Sequence, residues 1–342
     1  MKKIILIILS AAVIIGGIIG YSYYAKIYAP NVIENTDIFI PRNATFEEVT
    51  QLIEPHIKNK NGFDWVAQQK KYPAMIKPGK YTITKGMNNN ELINLLRSGK
   101  QTPVKVTFNN QDTLEKLAGR IAEQISADST EIVEAVLDTG FLKKNNFTKA
   151  NVLGMFIPNS YEFYWTTSAE QFRDRMLKEY HRFWNTSRQQ KATALQLSRN
   201  EVMTLASIVQ KETAKVSERP LVAGLYLNRL RDHWALQADP TIIYILKQKH
   251  GQDYEVKRVL DNDLKINSPY NTYQNTGLPP SLIAMPDISS IDAVLNPKNH
   301  EYYYMCASVT NIGSHEFART LAQHNQNAIK YQKWLSKQGI NR

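Results

Sequence analysis

The N-terminal part of the chain contains a long run without a charged side chain, at positions 4–25 between Lys3 and Lys26. About 22 residues in a helix are enough to cross a hydrocarbon core of roughly 30 Å. Lys2 and Lys3 favour a cytoplasmic N-terminus, and tyrosines at the far end are typical of a membrane interface. We therefore predict a retained single-pass anchor over 1–27, with the rest of the chain outside the cytoplasm. The alternative is a cleaved signal peptide, although the run exceeds the usual length of about 7–15 residues and no A-x-A site follows it.

Three strand patterns that each lead into a helix follow the anchor. The strands are predicted at 38–41, 81–84 and 104–108. Thr45 begins a capping box for the first helix, residues 88–90 precede the second helix with Gly99 as its predicted end, and residues 112–113 precede the third. The unequal spacing argues against a solenoid. Residues 79–108 have the strand–helix–helix–strand order of elements that is typical of a LysM-like carbohydrate-binding module. We predict a LysM-like region at 28–110, with a spacer that binds no ligand as the alternative.

The pattern changes near residue 150. Residues 111–150 read as short helices, with Gly140 as a helix end, whereas 153–165 are dense in aromatic residues that Pro158, Asn159 and Ser160 interrupt as a predicted turn. A long amphipathic helix then carries a stripe of apolar residues. We predict an α+β protein: an N-terminal transmembrane helix, small LysM-like α+β modules, a helical connecting subdomain at 111–150, and a larger mixed α/β catalytic domain at 151–342.

The stretch 201–229 carries the most distinctive polar position. Ser198 and Glu201 form a possible capping box for a helix. At about 100° per residue, Glu212 falls on its apolar face. Burial disfavours the charged form of a carboxyl and raises its pKa, as a general acid requires. The alternative is that Glu212 turns to water or pairs with Arg219 or Arg229.

Two later segments have loop chemistry that leaves polar groups free to face a ligand. The first is 236–241, where Pro240 is expected to hold Asp239 extended. The second comprises 270–273 and 277–280, which are rich in Tyr, Asn, Gly and Pro.

Composition narrows the partners only a little. The formal charge of +11 suits an acidic polymer, an anionic lipid or an anionic cell wall, but the basic residues are scattered. We predict no nucleic-acid partner, since the orientation removes the chain from the cytoplasm and no recognised motif is present. Cys306, the only cysteine, is expected in the core. His315 and His324 lack the neighbours of a zinc site, so we predict no metal and no cofactor.

Several sequence motifs, in a fixed order along the chain, resemble those of the endolytic murein transglycosylase family (MltG, YceG-like), most strongly over 153–330. They are LASIVQKETAKVSER, LYLNRL, LQADPTIIY, SPYNTY, GLPP and HEF followed by HN. The resemblance implies a bitopic membrane enzyme of the cell membrane that cuts peptidoglycan glycan strands internally. It also implies peptidoglycan synthases as partners. The second acidic position of the family's E-K-E-T run maps to Glu212, which is thereby implied as catalyst.

The chain departs from the family pattern at two places. Gln210 occupies the first acidic position of the E-K-E-T run, which tells against a mechanism that needs two carboxylates two residues apart. Residues 158–161 read Pro-Asn-Ser-Tyr where the family often has P-D-T-Y, so Asn159 and Ser160 keep the hydrogen-bonding capacity but lack the negative charge of the aspartate.

The resemblance implies that one acid is enough. Glu212 would protonate the glycosidic oxygen and then, as carboxylate, take a proton from the C6 hydroxyl that closes a 1,6-anhydro ring. We expect the glycan groove to be lined by Glu218, Gln237, Asp239, Tyr270, Asn271 and Tyr273. The alternatives are a lysozyme-type hydrolase that pairs Glu212 with Asp239 or Glu218, and a wall-binding scaffold without activity.

Overall fold

A computed structural model of the protein describes residues 2–337. The helices are α1 Lys2–Tyr28, α2 Phe46–Ile53, α3 Lys60–Gln69, α4 Asn89–Ser98, α5 Leu114–Ala122, α6 Ser129–Val136, α7 Thr139–Lys144, α8 Ala169–Phe183, α9 Thr186–Ala194, α10 Arg199–Glu212, α11 Arg219–Arg231, α12 Asp239–His250, α13 Ile288–Leu295 and α14 Leu321–Lys337. The strands are β1 Thr36–Ile40, β2 Gly79–Ile83, β3 Val104–Phe108, β4 Asn159–Phe163, β5 Tyr304–Ala307 and β6 His315–Ala318. The predicted mixed architecture with an apolar N-terminal helix is confirmed.

The chain divides into two compact units. The first contains the chain up to Val106 together with Ile121–Asp128 and Ser160–Ser168. The second contains Thr107–Arg120, Ser129–Asn159 and the chain from Ala169 onward.

Helix α1 is long and apolar enough to cross a membrane. It has 27 residues, a mean hydropathy of 2.7 over its most apolar window and no buried side chain. At 1.5 Å per residue its length is about 40 Å, which exceeds the hydrocarbon thickness.

The first unit is organised around the antiparallel pair β1–β2, whose register runs from Thr36 opposite Ile83 to Ile40 opposite Gly79. Helices α2 and α3 lie between these two strands in sequence, so the strand–helix–helix–strand order belongs to 36–83. Our assignment of that order to 79–108 is wrong: one helix separates β2 from β3, and β3 pairs with β4 instead. Helix starts have local sequence signals, whereas the partner of a strand can lie far away in sequence. For this reason the sequence pattern alone predicts the wrong segment for this order of elements.

The capping box predicted at Thr45 is confirmed, and it fixes the start of α2. Asn88 forms a second capping box with Glu91, which fixes the start of α4. Gly99 ends α4 with a φ of 71°, a left-handed conformation that glycine adopts without strain.

The second unit is built around α10. Every residue from Val202 to Gln210 is buried, because α11, α12 and α13 all pack against this helix. Ser198 caps the start of α10 with the predicted capping box: its side chain accepts from the Glu201 backbone N–H, and the Glu201 side chain accepts from the Ser198 backbone N–H. A helix buried on all sides holds its last residue, Glu212, in a fixed place.

Three sequence expectations in this unit are wrong for local reasons. Gly140 does not end a helix but lies inside α7, because Asp138 caps a new helix by accepting from the amide of Phe141 at 2.7 Å. Asn159 does not form a turn, since it begins β4. Asp239 is not extended: it is the first residue of α12, and Pro240 occupies the first turn, where no N–H is needed.

The C-terminal part adds the hairpin-like pair β5–β6, in which Tyr304 lies opposite Ala318 and Cys306 opposite Glu316. Cys306 is half-buried rather than in the core, and burial raises the pKa of its thiol. The β6 strand brings His315 close to the end of α10, where its charge acts on Glu212.

Candidate active site

Glu212 is the last residue of α10, and its side chain lies beside the buried Ile208 and Val209. The preceding Lys211 points away and pairs with Asp112 at 2.5 Å. Glu212 is partly buried, and the structure places it on the apolar side of the helix, as the spacing predicts. It does not turn freely into water.

Tyr226 holds the Glu212 carboxyl. It extends from α11, is 1% exposed, and its hydroxyl donates to Glu212 Oε2 at 3.0 Å. Burial, helped by the nearby Glu212 charge, raises the pKa of Tyr226 well above its ordinary value, so that its hydroxyl stays a donor. Within residues 2–337 this is the one hydrogen bond to the Glu212 carboxyl.

The surroundings of Glu212 favour its protonated form. Burial is the largest influence and raises its pKa, and the carboxylate of Asp239 acts in the same direction. The charge of His315, the Tyr226 hydrogen bond and the charge of Arg229 oppose the shift without cancelling it. A carboxyl whose pKa is raised can carry a proton closer to neutral pH.

Asp239 and Tyr273 form a second pair near this carboxyl. The Tyr273 hydroxyl donates to Asp239 Oδ1 at 2.5 Å. Asp239 is exposed at the start of α12, where the helix dipole favours a negative charge. Burial and this hydrogen bond both raise the pKa of Tyr273.

Arg229 brings a buried positive charge whose hydrogen bonds go to backbone carbonyls. It is 7% exposed, donates to Tyr303 O at 2.8 and 2.5 Å, and donates to Leu236 O at 2.5 Å. Burial lowers its pKa. Arg219 pairs with Asp287 at 2.7 Å. Neither arginine forms an ion pair with Glu212, so the sequence alternative of such a pair is not what the fold adopts.

Glu218 fixes His315. Glu218 ends the short 3-10 helix Val216–Glu218, is 6% exposed, and accepts from the His315 backbone N–H at 2.7 Å and from its ring Nδ1 at 2.8 Å. Burial acts to raise the pKa of Glu218, but these hydrogen bonds outweigh it and hold that pKa below its ordinary value. The His315 ring is thus held where its charge acts on Glu212.

The remaining residues expected at a groove have different environments. Gln237 is exposed, and its backbone N–H donates to Thr272 O at 2.9 Å, which joins the two loops. The Tyr270 hydroxyl lies 2.6 Å from Ser281 Oγ, and its ring lies 4.8 Å from that of Tyr244.

Asn271 is fully buried inside its loop. Its Nδ2 donates to Leu264 O at 3.0 Å and to Ile266 O at 2.7 Å, and its Oδ1 accepts from the Tyr273 backbone at 2.9 Å. In this conformation the side chain shapes the loop, and an effect on a ligand passes through Tyr270 and Tyr273.

Gln210 joins α10 to the backbone of the segment before α13. It is 9% exposed, accepts from the Asp287 backbone at 2.5 Å and donates to Met285 O at 3.3 Å. A neutral amide can both donate and accept here, which an ionised carboxylate could not do.

Sequence reasoning missed Tyr226 and His315 as members of this site, and it considered Arg229 only as an ion-pair partner of Glu212. Their segments lie 14 to 103 positions from Glu212 in sequence, and no spacing rule connects them. The available signal was the polar residues on the apolar helix α11, where Tyr226 and Arg229 are three positions apart and so share a face.

Comparison with known proteins identifies the family of the chain. A family model described as "YceG-like family" matches residues 38–330. A crystal structure of a yceG-like protein from Listeria monocytogenes has a TM-score of 0.58 and 26% sequence identity, and the match covers 86% of this chain and 98% of that one. The similarity shows a YceG-like fold.

Two curated relatives carry the name "Endolytic murein transglycosylase". The one from Bacillus subtilis (strain 168) is 29% identical over 313 residues, which cover 86% of this chain and 84% of the relative. The one from Streptococcus pneumoniae (serotype 2, strain D39) is 28% identical over 351 residues, which cover 92% of this chain. The match spans 62% of the pneumococcal protein.

Proposed function

The chain belongs to the YceG-like family, and we propose that it is a membrane-anchored endolytic murein transglycosylase. It cleaves the MurNAc–GlcNAc bond inside peptidoglycan strands and leaves 1,6-anhydroMurNAc ends, and so acts in cell wall assembly. The observation that carries this proposal is one carboxyl, Glu212, whose pKa is raised by burial at the end of a helix that is buried from Val202 to Gln210.

In the first step Glu212 acts as general acid. Breaking a glycosidic bond requires a proton on the leaving oxygen while positive charge develops on the sugar. The raised pKa keeps the proton available near neutral pH. Glu212 is half-buried at the end of α10, and in this proposal the glycosidic oxygen of the glycan binds at its carboxyl.

In the second step the Glu212 carboxylate acts as base. It takes the proton from the muramic acid C6 hydroxyl as that oxygen closes on C1, so the proton count of the enzyme is restored and no water is consumed. Between the two steps the negative charge is stabilised by the Tyr226 hydrogen bond and by the charges of His315 and Arg229.

The neighbouring polar groups orient the glycan. In this proposal Asp239, Tyr273, Gln237 and Tyr270 contact hydroxyl and N-acetyl groups of the glycan. Asp239 and Gln237 are exposed, and Tyr273 and Tyr270 are half-buried. Glu218 acts by positioning His315, and Asn271 by holding its loop.

A lysozyme-type hydrolase is the second candidate, and Asp239 favours it. Its carboxylate acts electrostatically on Glu212, and it could activate a water or stabilise the cation. The absence of a second carboxylate on Glu212's own helix turn, where Gln210 stands, favours the transglycosylase.

Product analysis separates these candidates. The full chain in detergent is incubated with isolated peptidoglycan, and the released fragments are weighed by mass spectrometry. Anhydro ends support the transglycosylase, whereas ends heavier by one water support the hydrolase. Binding to the sacculus with no fragments from a folded protein supports a wall-binding scaffold and contradicts both.

The functional layout follows from the same proposal. We assign an anchor at 1–27 with a cytoplasmic N-terminus, a LysM-like region at 28–110, a helical connection at 111–150 and an extracytoplasmic catalytic domain at 151–342. The strand–helix–helix–strand order of 36–83 supports the LysM-like assignment. Peptidoglycan synthases at the membrane are the expected partners.

A further inference from the structure

The anchor helix continues without a flexible linker into the first unit. Helix α1 extends to Tyr28, and Ile27 packs against the hydrophobic core of that unit. The backbone carbonyl of Lys26 accepts from Asn89 Nδ2 at 2.8 Å, and Asn89 Oδ1 accepts from Asn31 Nδ2 at 2.7 Å. Asn31 and Asn89 are 3% and 2% exposed.

These contacts fix the height of the first unit relative to the end of α1. Buried side-chain hydrogen bonds on both sides of the last helical turn leave little freedom for a hinge. From Ile4 to Tyr23 the helix rises about 28 Å, close to the hydrocarbon thickness of about 30 Å. Tyr23 therefore lies at the outer boundary of the hydrocarbon when α1 spans the membrane.

Trp65 of α3 lies at the same level as Tyr23. The two ring centroids are 5.3 Å apart, and Lys26 Nζ lies 5.5 Å from the Tyr23 ring and 5.8 Å from the Trp65 ring. Trp, Tyr and Lys together are the residues that prefer the boundary between hydrocarbon and headgroups. Trp65 is half-buried, so part of its ring surface is not covered by the first unit.

The rest of this face of α3 is compatible with a lipid surface. The residues three or four positions from Trp65 that are exposed, Asn61, Gln68 and Gln69, carry no charge. They can hydrogen-bond phosphate and glycerol oxygens, and none of them repels an anionic headgroup.

We propose that α3 is a membrane-contacting surface, with Trp65 inserted into the headgroup layer beside Tyr23 and Lys26, so that the first unit sits directly on the bilayer. This inference rests on the proposed anchoring by α1 and adds a second contact to it. The LysM-like region then meets glycan next to the membrane surface.

Tryptophan fluorescence in vesicles tests the proposal. The full chain is reconstituted in phosphatidylcholine and phosphatidylglycerol vesicles whose acyl chains are brominated either near the headgroup or near the chain end. We expect shallow bromines to quench the share of emission that comes from Trp65, and deep bromines to quench it much less. Trp65→Phe should lose this depth-dependent share, whereas the matched control Trp165→Phe, in the same unit, should keep it.

Equal shallow quenching of the parent and Trp65→Phe would overturn the proposal. Extraction with alkaline carbonate distinguishes its failure from that of the anchor. A chain that resists extraction but shows no Trp65 quenching has the anchor without the surface contact, and a chain that is extracted lacks both. Glycan cleavage is measured separately, so that failure of the membrane contact and failure of the proposed enzymatic function are distinguished.

Discussion

Glu212 combines a buried environment with the one hydrogen bond that its ionised form needs from Tyr226. Removal of the proton donor should therefore cost the whole general acid–base contribution, about a hundredfold to ten-thousandfold in rate. We expect Glu212→Gln to release anhydro-ended fragments slower by at least that lower factor. Glu115→Gln, which changes an exposed glutamate of the same unit, is the matched control and should keep the parental rate.

The same variant has a stability signature that depends on pH. Below the ordinary value of 4.5 the folded and unfolded states both carry a protonated Glu212, so its burial has no charge cost. Above that value the unfolded chain ionises while the folded state resists, because the folded pKa is raised, and the folded state loses stability as pH increases. Glu212→Gln should thus melt at a higher temperature than the parent at neutral pH, with the gap closing in acid. A lower melting temperature at neutral pH would contradict the buried-acid assignment.

The hydrogen bond from Tyr226 is expected to set the balance between the protonated and the ionised form of Glu212. Its hydrogen bond favours the ionised Glu212, so Tyr226→Phe should raise the pKa of Glu212 further and move the alkaline limb of the pH–rate profile to higher pH. A hydrogen bond to a charged group contributes about 1.5–3 kcal/mol, so the rate should fall about tenfold to a hundredfold.

Tyr81→Phe is the control for this change. Tyr81 is also fully buried and donates to a backbone carbonyl, that of Lys77 at 3.0 Å, but it lies in the first unit. It should lower stability to a similar extent and leave the pH–rate profile unchanged. If both variants shift the profile equally, Tyr226 has no special role at Glu212.

At the residue level the sequence predicts what a single element determines. Helical spacing placed Glu212 on the apolar side of α10, because that result depends on one helix alone. His315 and Arg229 could not be found in this way, since strand pairing and packing of distant segments bring them to the site. Gln210 is explained by its bonds to the 285–290 segment, which no local pattern reveals.

At the level of elements, the contact between Glu218 and His315 joins the start of α11 to β6. The pKa of Glu218 is lowered, so its ionised form stabilises the fold at pH values above the ordinary 4.5, and this stabilisation is lost as pH falls through the lower folded pKa. Glu218→Gln should reduce the free energy of unfolding by about 1.5–3 kcal/mol at neutral pH, and the difference should vanish in acid. Urea unfolding at several pH values measures it.

A second readout separates positioning from plain stability. His315 lowers the pKa of Glu212, so a displaced ring should let that pKa rise and move the alkaline limb of the pH–rate profile upward. Glu179→Gln is the matched control, because Glu179 is 9% exposed and pairs with Arg182 at 2.8 Å on α8. It should lose stability without moving the limb, and the same shift in both variants would remove His315 from the mechanism.

Helix starts were the most predictable elements and strand partners the least. The capping boxes at Thr45 and Ser198 are predicted correctly because a capping box depends on four consecutive residues alone. The same logic fails for Asp239, where Pro240 is compatible with an extended residue and with a first helical turn alike. The tertiary packing of α12 decides between them.

At the scale of the whole molecule, the N-terminal residues serve two separable purposes. The apolar part of α1 has no buried side chain, whereas Ile27, Asn31 and Val32 belong to the core of the first unit. A chain that begins at Lys26 should therefore fold and cleave isolated peptidoglycan at the parental rate, although it lacks the membrane-spanning part of α1. In cells it should fail to replace the full chain, because anchoring supplies the effective concentration at the membrane.

A chain that begins at Asn35 tests where this division lies. It loses the burial of Val32, which is 1% exposed, and the hydrogen bonds that Asn31 makes to Asn59 and Asn89. These losses should lower the stability of the first unit by at least about 2 kcal/mol, visible as earlier proteolysis of 36–106 than in the chain that begins at Lys26. Equal protease resistance of the two shortened chains would show that residues 26–34 belong to the anchor alone. Greater sensitivity of the shorter one would place the boundary between anchor and folded unit inside the last turns of α1, where helix and core are a single structure.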